Sequence, residues 1–285
     1  MIQSMTGYGK EVVQLPSKTI SIEVKSLNSK GLDLNTRVPS AYREKELEIR
    51  DLLAKSLQRG KIDFSLYIEV TGEEVSTQLN EIAVKQYIKQ LAKVVDGDPV
   101  ELLKMAVRMP DALKTEREEI DEKEYETILK GVDKALEAIN KYRTDEGLVL
   151  GNDFLDRTKT IAKLLEDVIA LDPERIDGVK ERLRKAVSDL KEKVDENRFE
   201  QELIYYLEKY DITEEKVRLK NHLEYFEETL KSNDSNGKKL GFITQEIGRE
   251  INTIGSKANY APMQQVVVQM KDELEKIKEQ ALNVL

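Results

Sequence analysis

Two stretches near the start of the chain alternate with a period of two. Ile20, Ile22 and Val24 interleave with Ser21, Glu23 and Lys25, and Ile62, Phe64, Leu66, Ile68 and Val70 interleave with polar neighbours. That is the pattern of strands with one buried face. Between them Leu47, Ile49, Leu52, Leu53 and Leu57 recur at helical spacing, and Arg59-Gly60 closes that helix. A helix is expected from Glu81 to about Val95, a turn at Asp96-Gly97-Asp98-Pro99, and a short helix from Pro99 to about Met109. Strands and helices do not alternate regularly, so this part reads as α+β rather than as a parallel α/β sheet.

From about Lys123 onward the pattern is helical. Ile128, Val132, Ala135, Ile139 and Tyr142 make one stripe, which continues through Leu150, Phe154, Ile161, Leu165 and Val168 if Gly147 and Gly151 do not interrupt it. Leu171-Asp172-Pro173-Glu174 reads as a break, because proline lacks the N–H that a helix interior needs. Beyond it Ile176, Val179, Leu183, Val187, Leu190 and Val194 follow a heptad seam. Together these predict a long helical hairpin or arm with its tip near Pro173. Three further helices are expected: Thr213 to Leu230, Lys238 to Asn252 and Pro262 to Val284. The division is therefore an N-terminal mixed strand and helix domain (1–122), long helices forming a hairpin arm (123–207) and a C-terminal α-helical domain (208–285).

Composition narrows the chemistry. Of 285 residues, 35% are charged, and 46 bases against 55 acids leave a net charge of −9. A surface coated in positive charge is excluded, although a local basic groove is not. From Asp111 to Glu126 eight acids face three bases, which reads as a solvated acidic connection. Cysteine and tryptophan are absent and His222 is the only histidine. Thiolate zinc sites, iron–sulfur clusters, cysteine nucleophiles and paired-imidazole catalysis are thereby removed. Hydrolytic chemistry must use carboxylates, Lys, Ser or a metal held by oxygen ligands. The N-terminus is not a signal peptide, no run approaches a membrane span, and the expected location is the cytoplasm. Asn233-Asp234-Ser235 is a formal glycosylation sequon without a secretory setting.

Phosphate-binding glycine loops are missing. Gly7-Tyr8-Gly9 lacks a third glycine, and Gly60-Lys61 and Gly237-Lys238 lack the upstream glycine of a P-loop, so no nucleotide cofactor is expected. The last third is richer. Glu214, Arg218 and His222 share one helix face, Glu215 sits beside them, and Asp211 precedes the helix at a capping position. A lone Glu–Arg pair or a lone His is most often a plain surface feature. Glu246 and Glu250 are less ordinary, since like charges four apart destabilise a helix unless a cation offsets them. Lys238, Lys239, Arg249 and Lys257 lie in the same stretch, with Asn252 and Ser256 among its small polar side chains. Lysines for phosphates beside carboxylates for a divalent ion suit metal-assisted phosphodiester chemistry.

The run Gly237-Lys238-Lys239-Leu240-Gly241-Phe242-Ile243-Thr244-Gln245-Glu246-Ile247-Gly248-Arg249-Glu250-Ile251-Asn252-Thr253-Ile254-Gly255-Ser256-Lys257-Ala258-Asn259 resembles the C-terminal signature of the YicC/YloC family. Ser4-Met5-Thr6-Gly7-Tyr8-Gly9, Ser26-Leu27-Asn28-Ser29-Lys30, Arg59-Gly60-Lys61, the block Arg143, Glu146, Gly147, Leu150 and Asp153, and Asp211 to Glu215 with Arg218 and His222 are similar to that family's other blocks. The resemblance implies a bacterial endoribonuclease that depends on manganese or magnesium and assembles as a homo-oligomer, with a hexamer favoured. It departs from the family at Gly241 and Tyr260, where an acid is common.

On both lines of reasoning Glu246 and Glu250, with Glu215 or Asp211, are candidate metal ligands. His222 joins Glu246 and Glu250 as a candidate catalytic group, as acid, base or ligand. Lys238, Lys239, Arg249, Lys257, Arg218, Asn252 and Ser256 would bind RNA, and Lys30, Arg59 and Lys61 would extend the track. Attack by a metal-activated water and attack by the RNA 2′-hydroxyl are both compatible with these groups. The expected activity is cleavage of phosphodiester bonds in single-stranded or structured RNA. The alternative is a non-catalytic adaptor that presents RNA to another ribonuclease, although acids beside a phosphate track would not help an adaptor.

Overall fold

The computed structural model describes residues 2–71, 78–114, 120–189, 196–232 and 236–285. Residues 115–119 of the acidic connection, Leu190 and Val194 of the heptad seam, and the sequon fall outside the described residues. The architecture is α+β, with an N-terminal sheet followed by helices.

The sheet has the order β1-β2-β4-β3, from β1 (Gly7–Gln14), β2 (Lys18–Leu27), β3 (Leu32–Arg37) and β4 (Gly60–Val70). The β1–β2 and β2–β4 pairs are antiparallel, whereas β3 and β4 are parallel and are joined by helix α1 (Glu46–Leu57). A parallel pair needs such a crossover. Both predicted alternations appear as half-buried strands. Ile20, Ile22, Val24, Ile62, Phe64 and Leu66 point into a core shared with Ile49, Leu53 and Leu57 of α1. The other face carries Lys10, Glu23, Lys25 and Lys61.

A small satellite follows, in which α2 (Glu81–Leu91) packs on α3 (Pro99–Ala106). The two-residue strands β5 (Gln78–Leu79) and β6 (Leu113–Lys114) tie off its ends. Asn80 and Asp98 cap the two helices, accepting from Ala83 N and Val100 N.

Helix α4 (Glu122–Asp189) is a single element of 68 residues, about 100 Å long at the usual helical rise. Its first third, including Tyr125, Ile128, Val132, Ala135 and Ile139, closes the core of the sheet. Its middle, including Phe154, Ile161, Leu165 and Val168, enters a second core built with the C-terminal helices. Two glycines mark close approaches. A Cβ on Gly9 would lie 2.1 Å from the Ala135 carbonyl oxygen, and one on Gly147 would lie 2.3 Å from that of Ile2. Gly147 thus accommodates the N-terminal segment at Ile2 and Gln3 rather than ending the helix.

The break expected at Leu171–Glu174 is not there: α4 runs through Pro173, and the hairpin tip is not at that residue. Tertiary pins outweigh the local cost. Asp172 accepts from Arg175 Nε at 2.8 Å and from Lys216 Nζ at 2.7 Å, and Arg175 reaches the Lys257 carbonyl at 3.3 Å. The returning arm is α5 (Glu196–Lys209), whose Phe199, Leu203 and Tyr206 border a small apolar recess with Leu183 and Val187 of α4. The heptad seam therefore extends α4 outward instead of folding back along it.

Helices α6 (Thr213–Lys231), α7 (Gly237–Lys257) and α8 (Ala261–Ala281) complete the second core. Leu240, Ile243, Ile247, Ile251 and Ile254 form the buried stripe of α7, between α6 and α8. The two ends of the described chain meet at the joint between the cores. Met5 N donates to the Asn283 carbonyl at 2.7 Å, Leu285 N to Gln3 at 3.0 Å, and Gly237 N to Leu285 at 2.8 Å.

Candidate functional site

The face of α7 opposite its buried stripe carries Lys238, Phe242, Gln245, Arg249, Asn252 and Ser256, all exposed. Their spacing of 4, 3, 4, 3 and 4 keeps them on one line along the helix, about 27 Å from end to end. No acid stands on that line. Four residues expected to bind RNA, Lys238, Arg249, Asn252 and Ser256, are therefore brought onto one surface.

At its Lys238 end the line opens into a groove of about 740 Å³ between the N-terminal sheet unit and helices α7 and α8. Lys30 and Arg59 enter it from the sheet unit, Lys238 and Phe242 from α7, and Lys278 from α8. Glu275 and Glu279 of α8 are its two carboxylates. Two of the three cations expected to extend the track thus face Lys238 across one space. Lys61 lies outside the groove lining, on the outer face of β4. Asn28 has its amide engaged, donating to the Leu282 carbonyl at 2.6 Å, so it ties the two walls together.

Arg143 of α4 sits beneath the wall that carries Arg59. It is 1% exposed and has no carboxylate partner among the described residues. Its Nη2 donates to Ser26 Oγ at 2.5 Å, to the Met5 carbonyl at 3.4 Å and to the Arg59 carbonyl at 3.3 Å, while Nη1 reaches Leu57 O at 3.4 Å. Burial pushes its pKa down to about 10, so it stays a cation at neutral pH. The turn it holds needs help, because Gln58 has φ 48° and Gly60 φ 122°. Arg59 Nε is fixed by Ser29 O at 2.9 Å.

The remaining predicted cations are engaged elsewhere. Lys239 lies 4.6 Å over the Tyr225 ring, and Arg218 is ion-paired with Glu214. Lys257, at the far end of α7, donates to Glu215 Oε1 at 2.7 Å and to the Asp211 carbonyl at 2.8 Å.

The acids fall in two places. Asp211 accepts from Thr213 Oγ1 at 2.7 Å and Thr213 N at 3.1 Å. The Thr213 hydroxyl above all, with Lys216 and Lys257 adding to it, holds its carboxyl below the usual range. Glu215 is buried against the Lys257 ammonium, and its Oε2 has no hydrogen-bond partner among the described residues. Glu246 is half-buried, 3.8 Å from Arg249. Glu250 is 3% exposed and makes no hydrogen bond or ion pair among the described residues. Because α6 and α7 run antiparallel with Lys257 on Glu215, His222 and Glu250, each seven residues inward, stand at the same height along the pair. That height is about 10 Å from Glu215.

Among the described residues no three His, Asp or Glu side chains gather into a cluster that could hold a metal ion. A cation beside Glu215 would also face the Lys257 ammonium. One chain offers instead Glu246 and Glu250 one helical turn apart, with His222 level with Glu250. That suits a hard cation bound by one or two carboxylates and completed by waters and substrate phosphate oxygens, not an all-protein cage.

Sequence reasoning did not single out Phe242, Gln245 or Lys278. The 4-3-4-3-4 line through α7 carried the signal for the first two. Lys278, on a helix studded with charge, gave none. Gly241 also lines the groove and has nothing within 4 Å of a would-be Cβ, so a larger side chain there would project into open space.

Residues 2–152 match the family described as the N-terminal region of YicC-like endoribonucleases, and residues 168–285 match its C-terminal part. The chain belongs to the YicC-like endoribonuclease family. Two relatives bear the name probable endoribonuclease YicC. One, from Clostridioides difficile (strain 630), is 32% identical over 293 residues, and another, from Haemophilus influenzae (strain ATCC 51907 / DSM 11121 / KW20 / Rd), is 30% identical over 287 residues. Both comparisons span the whole of each chain.

Proposed function

We propose that this chain is an endoribonuclease that requires a divalent cation, magnesium or manganese, and acts on RNA in the cytoplasm. The observation that carries the reading is the exposed line of α7 running into a cation-lined groove, with Glu246 and Glu250 on the same helix. Phosphates would lie on Lys238 and Arg249, and on Lys30 and Arg59 across the groove. Asn252 and Ser256 would donate to phosphate or ribose oxygens beyond Arg249. A cation held at Glu246 and Glu250 would supply charge neutralisation at the phosphodiester and lower the pKa of a bound water. His222 would hold or pass a proton at an imidazole nitrogen. Carboxylates on the phosphate-binding helix favour cleavage over passive presentation of RNA, since without a cation they only repel the strand.

A covalently closed, unstructured RNA circle tests this reading, because it has no ends for an exonuclease. Linearisation is expected with manganese or magnesium, and intact circles with chelator. Circles that survive every metal would overturn the proposal.

The same reading includes a homo-oligomer, with a hexamer expected. Its support is the apolar surface of the α2–α3 satellite, where Ile82, Val94 and Val100 are 73%, 85% and 56% exposed. Light scattering that returns the mass of a single chain would remove this part.

A further inference from the structure

Phe242 is 63% exposed, on the one line of α7 that is otherwise polar. Isolated surface aromatics are common and need no explanation. This one lines the groove, one turn beyond Lys238 and three residues before Gln245, with Arg59 and Lys30 across the space. Among the described residues no other ring stacks on it and no cation sits over it. Lys30 and Arg59 come from the sheet unit and Lys238 from α7, whereas both carboxylates, Glu275 and Glu279, come from α8, where Lys278 lies 3.5 Å from Glu275.

Resting on the reading of the groove as an RNA site, we propose that Phe242 is a stacking platform for one unpaired base and that it selects single-stranded RNA over duplex. The ribose-phosphate lies toward Lys30, Arg59 and Lys238. The base lies over the Phe242 ring, with the Gln245 amide beside it on the same helix line. A duplex cannot use this arrangement, because its bases remain stacked on one another and its deep groove is closed to side chains. An aromatic face tolerates any base, so the selection concerns pairing rather than sequence.

The test is binding in chelator, where no cleavage occurs, of a short oligouridine strand and of a strand of equal length with abasic sugars. Phe242→Ala is expected to weaken oligouridine binding by about 5- to 150-fold, the range for losing one base–aromatic stack, and Phe242→Tyr to stay within about twofold of the parent. The abasic strand should bind the parent and Phe242→Ala equally, and a blunt RNA duplex should not respond to the substitution. An equal loss on both strands, or oligouridine binding unchanged in Phe242→Ala, overturns the proposal. The circle assay separates it from the nuclease reading. Circles cut by the parent, with binding indifferent to Phe242, remove the stacking platform alone. Phe242-dependent binding by a protein that never cuts removes the nuclease alone.

Discussion

Replacing Glu246 and Glu250 together by Gln is expected to lower RNA cleavage by at least about 100-fold, the scale of losing a transition-state charge stabiliser, while RNA binding is kept or tightened. The argument starts from Glu250. It is almost fully buried, with no partner among the described residues, and it shares its height on the α6–α7 pair with His222. With no ion pair of its own among the described residues, the Glu250 carboxylate is open to a cation that arrives with the substrate. Glu246 lies one turn away, weakly paired to Arg249 at 3.8 Å. Gln preserves the shape of both side chains and removes two negative charges from the helix that meets the phosphates. Thermal stability should therefore hold or rise, which separates a lost activity from a lost fold. A double variant that cuts at the parent rate would place the chemistry elsewhere.

The largest effect on stability is expected from Arg143→Met. Met fills much of the volume but removes the donor to the Arg59 carbonyl and to Ser26 Oγ, whereas the Met5 carbonyl keeps the Ser26 hydroxyl and the Leu57 carbonyl keeps Arg59 N. An orphaned buried acceptor costs about 1–3 kcal/mol, partly offset here because a desolvated charge is also removed. A net loss of about 2 kcal/mol is expected, and with it a fall in Tm of roughly 6 °C. The Gln58–Gly60 turn would lose its support, so RNA affinity should drop with stability through Arg59. Arg143→Lys keeps the charge but not the fork and should fall between the two. A melting point within a degree or two of the parent would show that the surrounding groups find water instead.

Periodicity revealed β2, β4, α1 and the three C-terminal helices because each has one wet and one dry face. It did not reveal β1 or β3. Gly7-Tyr8-Gly9 gives no alternation because the strand needs a bare backbone where it crosses α4. The short Leu32–Arg37 strand buries little of its length. Pro173 misled for a physical reason: a local penalty was visible in the sequence, but the Asp172–Lys216 and Arg175–Lys257 pins that overcome it join residues far apart along the chain. At the candidate site, residue type singled out Lys238, Arg249, Asn252 and Ser256, which share one exposed line, while the engagement of Lys239, Arg218 and Lys257 could only come from geometry. Phe242 falls on the wet line of α7 by its spacing, but an apolar side chain there gave no sign of chemistry until the groove beside it was visible.

Helix α4 is embedded in both cores, and the two walls of the groove belong one to each. The aperture is consequently gauged by a continuous backbone rod instead of by a supple tether. On the proposed reading, a guest strand would find its berth already spaced, and little ordering of the host would have to accompany its arrival.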